Sequence, residues 1–161
     1  VSATYHRVHW NPAQRAWMRR ADHASIFVLI AGTYTPIAVV ALPPGLGARL
    51  LAAVWIGAVI GVLQTLLWIK APKVIPVILC VALGWCVVWY WNDVVSHLTV
   101  PQLGLMAAGG VLYTVGAVCY AAKRPNFFPD IFGYHELFHL CTIIAAIMHF
   151  MAIYSIIHSN P

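Results

Sequence analysis

Long apolar runs alternate with short clusters of Pro, Gly, Lys and Arg along the whole chain. A helix that crosses the hydrocarbon core of a bilayer needs about 17–25 predominantly apolar residues. Five segments qualify: 24–42, 50–69, 74–91, 101–122 and 134–158. The punctuation between them is strong. Pro43-Pro44-Gly45 closes the first, Lys70-Ala71-Pro72-Lys73 the second and Lys123-Arg124-Pro125 the fourth, and proline and glycine stop helices by removing a donor or loosening the backbone. The spans are apolar nearly all round, as expected of helices whose outer faces meet lipid. Residues 1–8 read as the tail of an earlier helix. Connections are short, so neighbouring helices run antiparallel, and no stretch is free to form a soluble domain. The reading is all-α: a polytopic transmembrane helix bundle forming a single integral membrane domain over residues 1–161, with five complete spans plus the tail of an earlier helix.

Composition agrees with that picture. Hydrophobic types make up 62% of the 161 residues and charged types 8%, against about 25% charged in a typical soluble domain. A water-soluble protein of this size has too much surface for its volume to hide so many apolar side chains. The net charge is +5, but the nine Lys and Arg are scattered in short inter-helix clusters. Nucleic acid is therefore not an expected partner, because it selects a basic stripe or patch; membrane lipids are. Cys80, Cys86, Cys119 and Cys141 sit inside apolar runs without Cys-x-x-Cys spacing and read as small packing residues. The chain opens on Val1 without a secretory leader, and a missing N-terminal piece is expected.

Charge also sets an orientation. Arg7, Arg15, Arg19 and Arg20 precede the first span, Lys70 and Lys73 follow the second, and Lys123 and Arg124 follow the fourth. Arg49 is alone on the other side. Positive residues in short loops stay cytoplasmic, so the Arg-rich N-terminal loop is expected inside and the C-terminus outside. Trp55, Trp68, Trp85, Trp89 and Trp91 are expected in or near the ends of spans as interfacial anchors.

Ionisable residues at membrane depth are costly and mark function or a partner. His6 closes the N-terminal fragment, Asp22 and His23 open the first span, and His135, Glu136 and His139 open the last. Topology puts all of them at the cytoplasmic interface. His135 and His139 are spaced i, i+4 and share one helix face. Zinc takes three protein ligands in catalytic sites and leaves a fourth position open, and His6 is the best third ligand. His149 lies about 15 Å further along the helix, too deep to share that metal. Other readings stay open: Asp22 as an N-cap, His23 snorkelling to the interface, His9 and His158 facing water or headgroups, Asp93 with His97 in an outer loop, and Pro36 as a kink.

His135-Glu136-Leu137-Phe138-His139 is a literal H-E-x-x-H, the zinc motif of metalloproteases in which the Glu is the general base. The nearby Asn126-Phe127-Phe128-Pro129-Asp130 is only superficially similar to the acidic ligand motif of intramembrane proteases. A single haem is a poor match, because its axial ligands approach from opposite sides and these two histidines share a face.

The chain resembles the haemolysin III family, within the progestin and adipoQ receptor superfamily. The resemblance rests on Ser2-x-x-Tyr5-His6, on Asp22-His23 with Ile26-Phe27 and Leu29 through Pro36, on Gly133 through His139, and on His149-Phe150. It implies a seven-helix fold, N-terminally truncated here, with one zinc held by His6, His135 and His139. It further implies that Asp22 holds a water at the zinc and that Ser2 lies behind the ligands. Glu136 is not always acidic in the family. Superfamily members are similar to alkaline ceramidases, which implies a lipid amide substrate, and the bacterial family implies an inner (plasma) membrane. A non-catalytic sensor or receptor with structural zinc is the alternative. The family name suggests a pore-forming haemolysin, although no repeated polar stripe lines these spans.

Overall fold

Asn11 and Gln14 begin the first long helix by exchanging hydrogen bonds. The Gln14 N–H donates to Asn11 Oδ1 at 2.8 Å and the Asn11 N–H donates to Gln14 Oε1 at 3.4 Å, and Pro12 stands at the first helical position, where its missing N–H costs nothing. The computed structural model describes residues 1–68, 71–72, 74–128 and 131–159. Its elements are α1 (Ser2–Arg7), α2 (Pro12–Pro36) with a π-helical turn Ile37–Ala41, α3 (Pro44–Leu67), α4 (Val74–Gly84), a 3-10 turn Cys86–Tyr90, α5 (Trp91–His97), α6 (Val100–Ala122) and α7 (Tyr134–Ser159). Among the described residues there is no strand, only an isolated bridge between Phe128 and Phe132.

Five stretches are long and apolar enough to cross a membrane: Pro12–Ala41, Pro44–Leu67, Val74–His97, Val100–Ala122 and Tyr134–Ser159. The all-α membrane bundle is thus as expected, and residues 1–8 do include a short helix. Several boundaries differ. The first helix starts at Pro12 rather than 24, so Arg15, Arg19 and Arg20 ride on its first turns instead of a loop. The capping pair and the good helix formers Ala, Gln, Arg and Met carry it beyond its apolar part. Pro44 begins the second helix six residues early, because a proline that ends one helix also suits the first turn of the next. Pro36 leads into the wider π-turn Ile37–Ala41, where the chain accommodates the lost donor. Lys70 and Lys73, used above for orientation, lie outside the described residues, as do Pro129 and Asp130 of the loop before α7.

The third span is longer than expected and broken in its middle. It runs to His97, which places Asp93 and His97 on α5 rather than in an outer loop. A break in hydrocarbon must have its freed backbone groups satisfied by protein. Tyr34 Oη from α2 donates to the Gly84 carbonyl at 2.5 Å and accepts from the Val87 N–H at 3.3 Å. Trp85 Nε1 donates to Thr114 Oγ1 on α6 at 2.9 Å. Trp85 therefore pins the break, and Trp55, also in mid-span, donates to Thr35 Oγ1 at 3.2 Å; neither is the interfacial anchor that sequence suggested. Tyr34→Phe should strip both backbone groups of a partner and destabilise the bundle by about 1–3 kcal/mol. Thermal unfolding in one detergent checks this, and an unchanged midpoint would show that the break does not depend on the hydroxyl.

Two helix pairs make the core. In α2–α3, Phe27 lies over Gly61, and Ala31, Leu50 and Val54 are fully buried. In α6–α7, Gln102, Gly109 and Gly116 are the buried positions of α6, facing Cys141, Ala145 and Ala152 of α7. A Cβ at Gly116 would lie 3.0 Å from Cys141 Cβ, so small residues let these backbones approach. Gln102 Nε2 donates to Ser155 Oγ at 3.1 Å across the same interface. Val59, Ile60, Ile143 and Ile147 point outward and are exposed, as side chains facing lipid do.

Candidate metal centre and cavity

α1 and the first turn of α7 meet at one end of the bundle. His135 and His139, one turn apart, bring their Nε2 atoms to 3.1 Å. His6 completes the group, its ring centroid 5.2 Å from that of His135 and 5.5 Å from that of His139. One nitrogen of each ring falls within 4.8 Å of the others, and this is the metal-ligand cluster found among the described residues. Aromatic neighbours fix the rings: Tyr5 against His6 at 4.6 Å, Tyr120 against His135 at 5.7 Å and Phe138 against His139 at 5.4 Å. Tyr120 escaped the sequence reading, although its place near the end of α6, just before Lys123-Arg124, already put it at this level.

Zinc–nitrogen bonds of about 2.0–2.1 Å at tetrahedral angles put ligand nitrogens about 3.3 Å apart. The His135–His139 separation of 3.1 Å matches, and His6 needs only a small inward movement. The donor set, three imidazoles with no thiolate, also suits zinc.

Below the cluster a cavity of about 530 Å³ runs into the bundle. Asp22, His135 and His139 line its mouth, and Met106, Tyr113 and His149 line its deeper wall. The Asp22 carboxylate is near enough for its charge to be felt at both His135 and His139. Its alternative role as an N-cap is excluded, because Asn11 caps α2 and Asp22 lies inside the helix. His23 lines the cavity too. His149 belongs to the interior but not to the cluster: its Nε2 lies 3.1 Å from the Met106 carbonyl, and its ring occupies the space that a side chain at Gly109 would fill. Ser2 sits one turn before His6, half-buried, and makes no hydrogen bond to the histidines among the described residues.

Glu136 does not behave as a metalloprotease base. Its side chain is exposed and Oε2 accepts from the Gly133 N–H at 3.0 Å, while Asn126 Oδ1 accepts from the Tyr134 N–H at 3.1 Å. Both cap the start of α7. The H-E-x-x-H spacing here thus combines two clustered histidines with a capping glutamate.

The family model for "Haemolysin-III related" proteins matches residues 1–150. The chain belongs to the haemolysin III family. It is 28% identical to Hemolysin-3 of Bacillus cereus over 152 residues, covering 94% of this chain and 66% of that protein. It is 31% identical to the Hemolysin-3 homolog of Bacillus subtilis over 118 residues, covering 73% of this chain and 53% of that protein. The adiponectin receptor protein of Drosophila melanogaster is 36% identical over 75 residues, 40% of this chain and 17% of the receptor, in keeping with the progestin and adipoQ receptor superfamily. The chain thus spans less than two thirds of the length of either Bacillus haemolysin III relative. No solved structure matches it.

Proposed function

We propose that this haemolysin III protein is a zinc-dependent, ceramidase-like hydrolase of lipid amides, acting in membrane lipid homeostasis. The observation that carries the reading is the meeting of His6, His135 and His139 at the mouth of an apolar cavity that Asp22 also lines. The three imidazoles would hold the ion. Zinc when bound supplies Lewis acidity, which activates water near neutral pH and polarises a carbonyl. The apolar cavity takes the lipid chain and keeps bulk water from the amide. Asp22 accepts a hydrogen bond from the attacking water and takes its proton as the C–O bond forms. It returns that proton to the nitrogen as the C–N bond breaks, releasing a fatty acid and an amine. Ser2, one turn from His6, has a supporting part at most. On charge asymmetry we place the histidine end in the cytoplasm, the C-terminus outside and the protein in a bacterial inner membrane.

Full-length protein reconstituted with labelled ceramide and other lipid amides should turn over at least one of them. Asp22→Asn should lose about 100-fold or more of that rate, the usual size of a general-base contribution, while keeping its zinc. Absence of Asp22-dependent turnover on every amide would remove the hydrolase reading. One observation favours a second: the cluster joins α1 to α7, two helices far apart in the sequence, which suits a structural clamp in a sensor or receptor. In that case Asp22→Asn leaves both metal content and cellular phenotype intact.

A further inference from the structure

The turn between α1 and α2 forms a second concavity, separate from the large cavity and sharing only His6 with the histidine cluster. Its volume is about 270 Å³, and Tyr5, His6, Arg7, His9, Trp10 and Arg15 line it. A water takes about 30 Å³ in the liquid, so the cup accommodates a phosphate group with some of its hydration.

Its chemistry is one-sided. Two guanidinium groups face it and no carboxylate does. Among the described residues neither Arg7 nor Arg15 has an ion-pair or side-chain hydrogen-bond partner. Tyr5 and Trp10 supply aromatic wall to the cup. The cup also lies at the N-terminal end of α2, a 25-residue helix whose dipole favours an anion there.

We infer that this cup binds the phosphate of a membrane phospholipid. Arginine recognises phosphate by paired N–H donors, and both Arg7 and Arg15 line the cup. The neighbourhood argues for a lipid source over a soluble anion. Trp17 is exposed, with the Arg20 guanidinium 4.7 Å from its ring centroid, and exposed Trp beside Arg is the composition of a headgroup-level surface. The inference uses neither zinc nor Asp22 and stands apart from the hydrolase reading.

The test is binding of short-chain phosphatidic acid to delipidated full-length protein, read by native mass spectrometry and calorimetry. Diacylglycerol and inorganic phosphate serve as the two half-ligands. Wild type should bind one phosphatidic acid saturably, diacylglycerol not at all, and inorganic phosphate at least tenfold more weakly. The Arg7→Gln/Arg15→Gln pair should weaken binding about tenfold or more. The Arg49→Gln/Lys123→Gln pair, with the same change in net charge and away from the cup, should weaken it less than twofold. Equal loss in both pairs would reduce the effect to diffuse charge and overturn the site. Inorganic phosphate binding as tightly as the lipid would overturn the lipid assignment. If the first pair fails to fold, Arg15→Gln alone removes one guanidinium from the cup; a severalfold loss supports the site and unchanged affinity refutes it.

Discussion

Purified full-length protein should carry about one zinc per chain, and His139→Ala should carry none after a single dialysis against chelator. The expectation comes from geometry. Two imidazole nitrogens 3.1 Å apart on one helix face make half a tetrahedral shell without rearrangement, and His6 stands within 4.8 Å to add the third. Changing only the supports of a zinc ligand costs about 10–100-fold in affinity, so loss of a ligand itself should exceed that range. His135→Ala and His6→Ala should match it. Glu136→Gln is the informative control. Its amide oxygen can still accept from the Gly133 N–H, so this variant should retain the metal in full. Elemental analysis decides the matter. Zinc retained by His139→Ala, or absent from the wild type, would refute the ligand assignment. Metal lost from Glu136→Gln would restore the glutamate to the centre.

That cluster was legible in the sequence because it follows from counting. Four membrane crossings separate the start of the first span from the start of the last in chain order, and an even number of crossings returns the chain to the same side. Residues flanking those starts must then share a level, and the i, i+4 spacing supplies the common face. The start of α2 was less legible, because hydropathy marks where a helix enters lipid rather than where its hydrogen bonding begins. Asn11-Pro12-x-Gln14 carries that second signal, and it moved Asp22 from a possible cap to a wall of the cavity. The break in the third span left almost no trace. Gly84 and the run Val87-Val88-Trp89-Tyr90 are as apolar as a regular span, and what stabilises the irregular backbone is Tyr34, fifty residues away. Glu136 could not be placed for the opposite reason: a short motif fixes spacing along one helix but not which groups lie at that helix's start.

These observations change what limits the site. The histidines come from α1 and α7, whereas the carboxylate comes from α2. Alignment of the three therefore depends on how α2 is held, and α2 is held mainly by α3. The point where that pair meets backbone to backbone is at Gly47 of α3, against the carbonyl of Ala38 in the π-turn that follows Pro36.

Gly47→Ala should accordingly be among the most damaging small substitutions in the chain. A Cβ at position 47 runs into the Ala38 carbonyl oxygen and lies 3.2 Å from its carbonyl carbon. Backbone cannot rotate aside as a side chain does, so the hairpin must part or its π-turn must refold. Overpacking of this kind costs about 1–3 kcal/mol or more, well above the roughly 0.5–1 kcal/mol that Gly→Ala returns inside a helix. Gly104→Ala isolates the second term, because nothing lies within 4 Å of a Cβ there and α6 is regular around it. Thermal unfolding in a common detergent should therefore move in opposite directions, down for Gly47→Ala and slightly up for Gly104→Ala. Because α2 carries Asp22, the Gly47 variant should also lose Asp22-dependent turnover at temperatures where it remains folded, with zinc content preserved. If both variants are stabilised alike, the close approach of α3 to the π-turn is wrong. If Gly47→Ala unfolds early yet keeps full turnover below its midpoint, α2 does not set the alignment of Asp22 with the histidines.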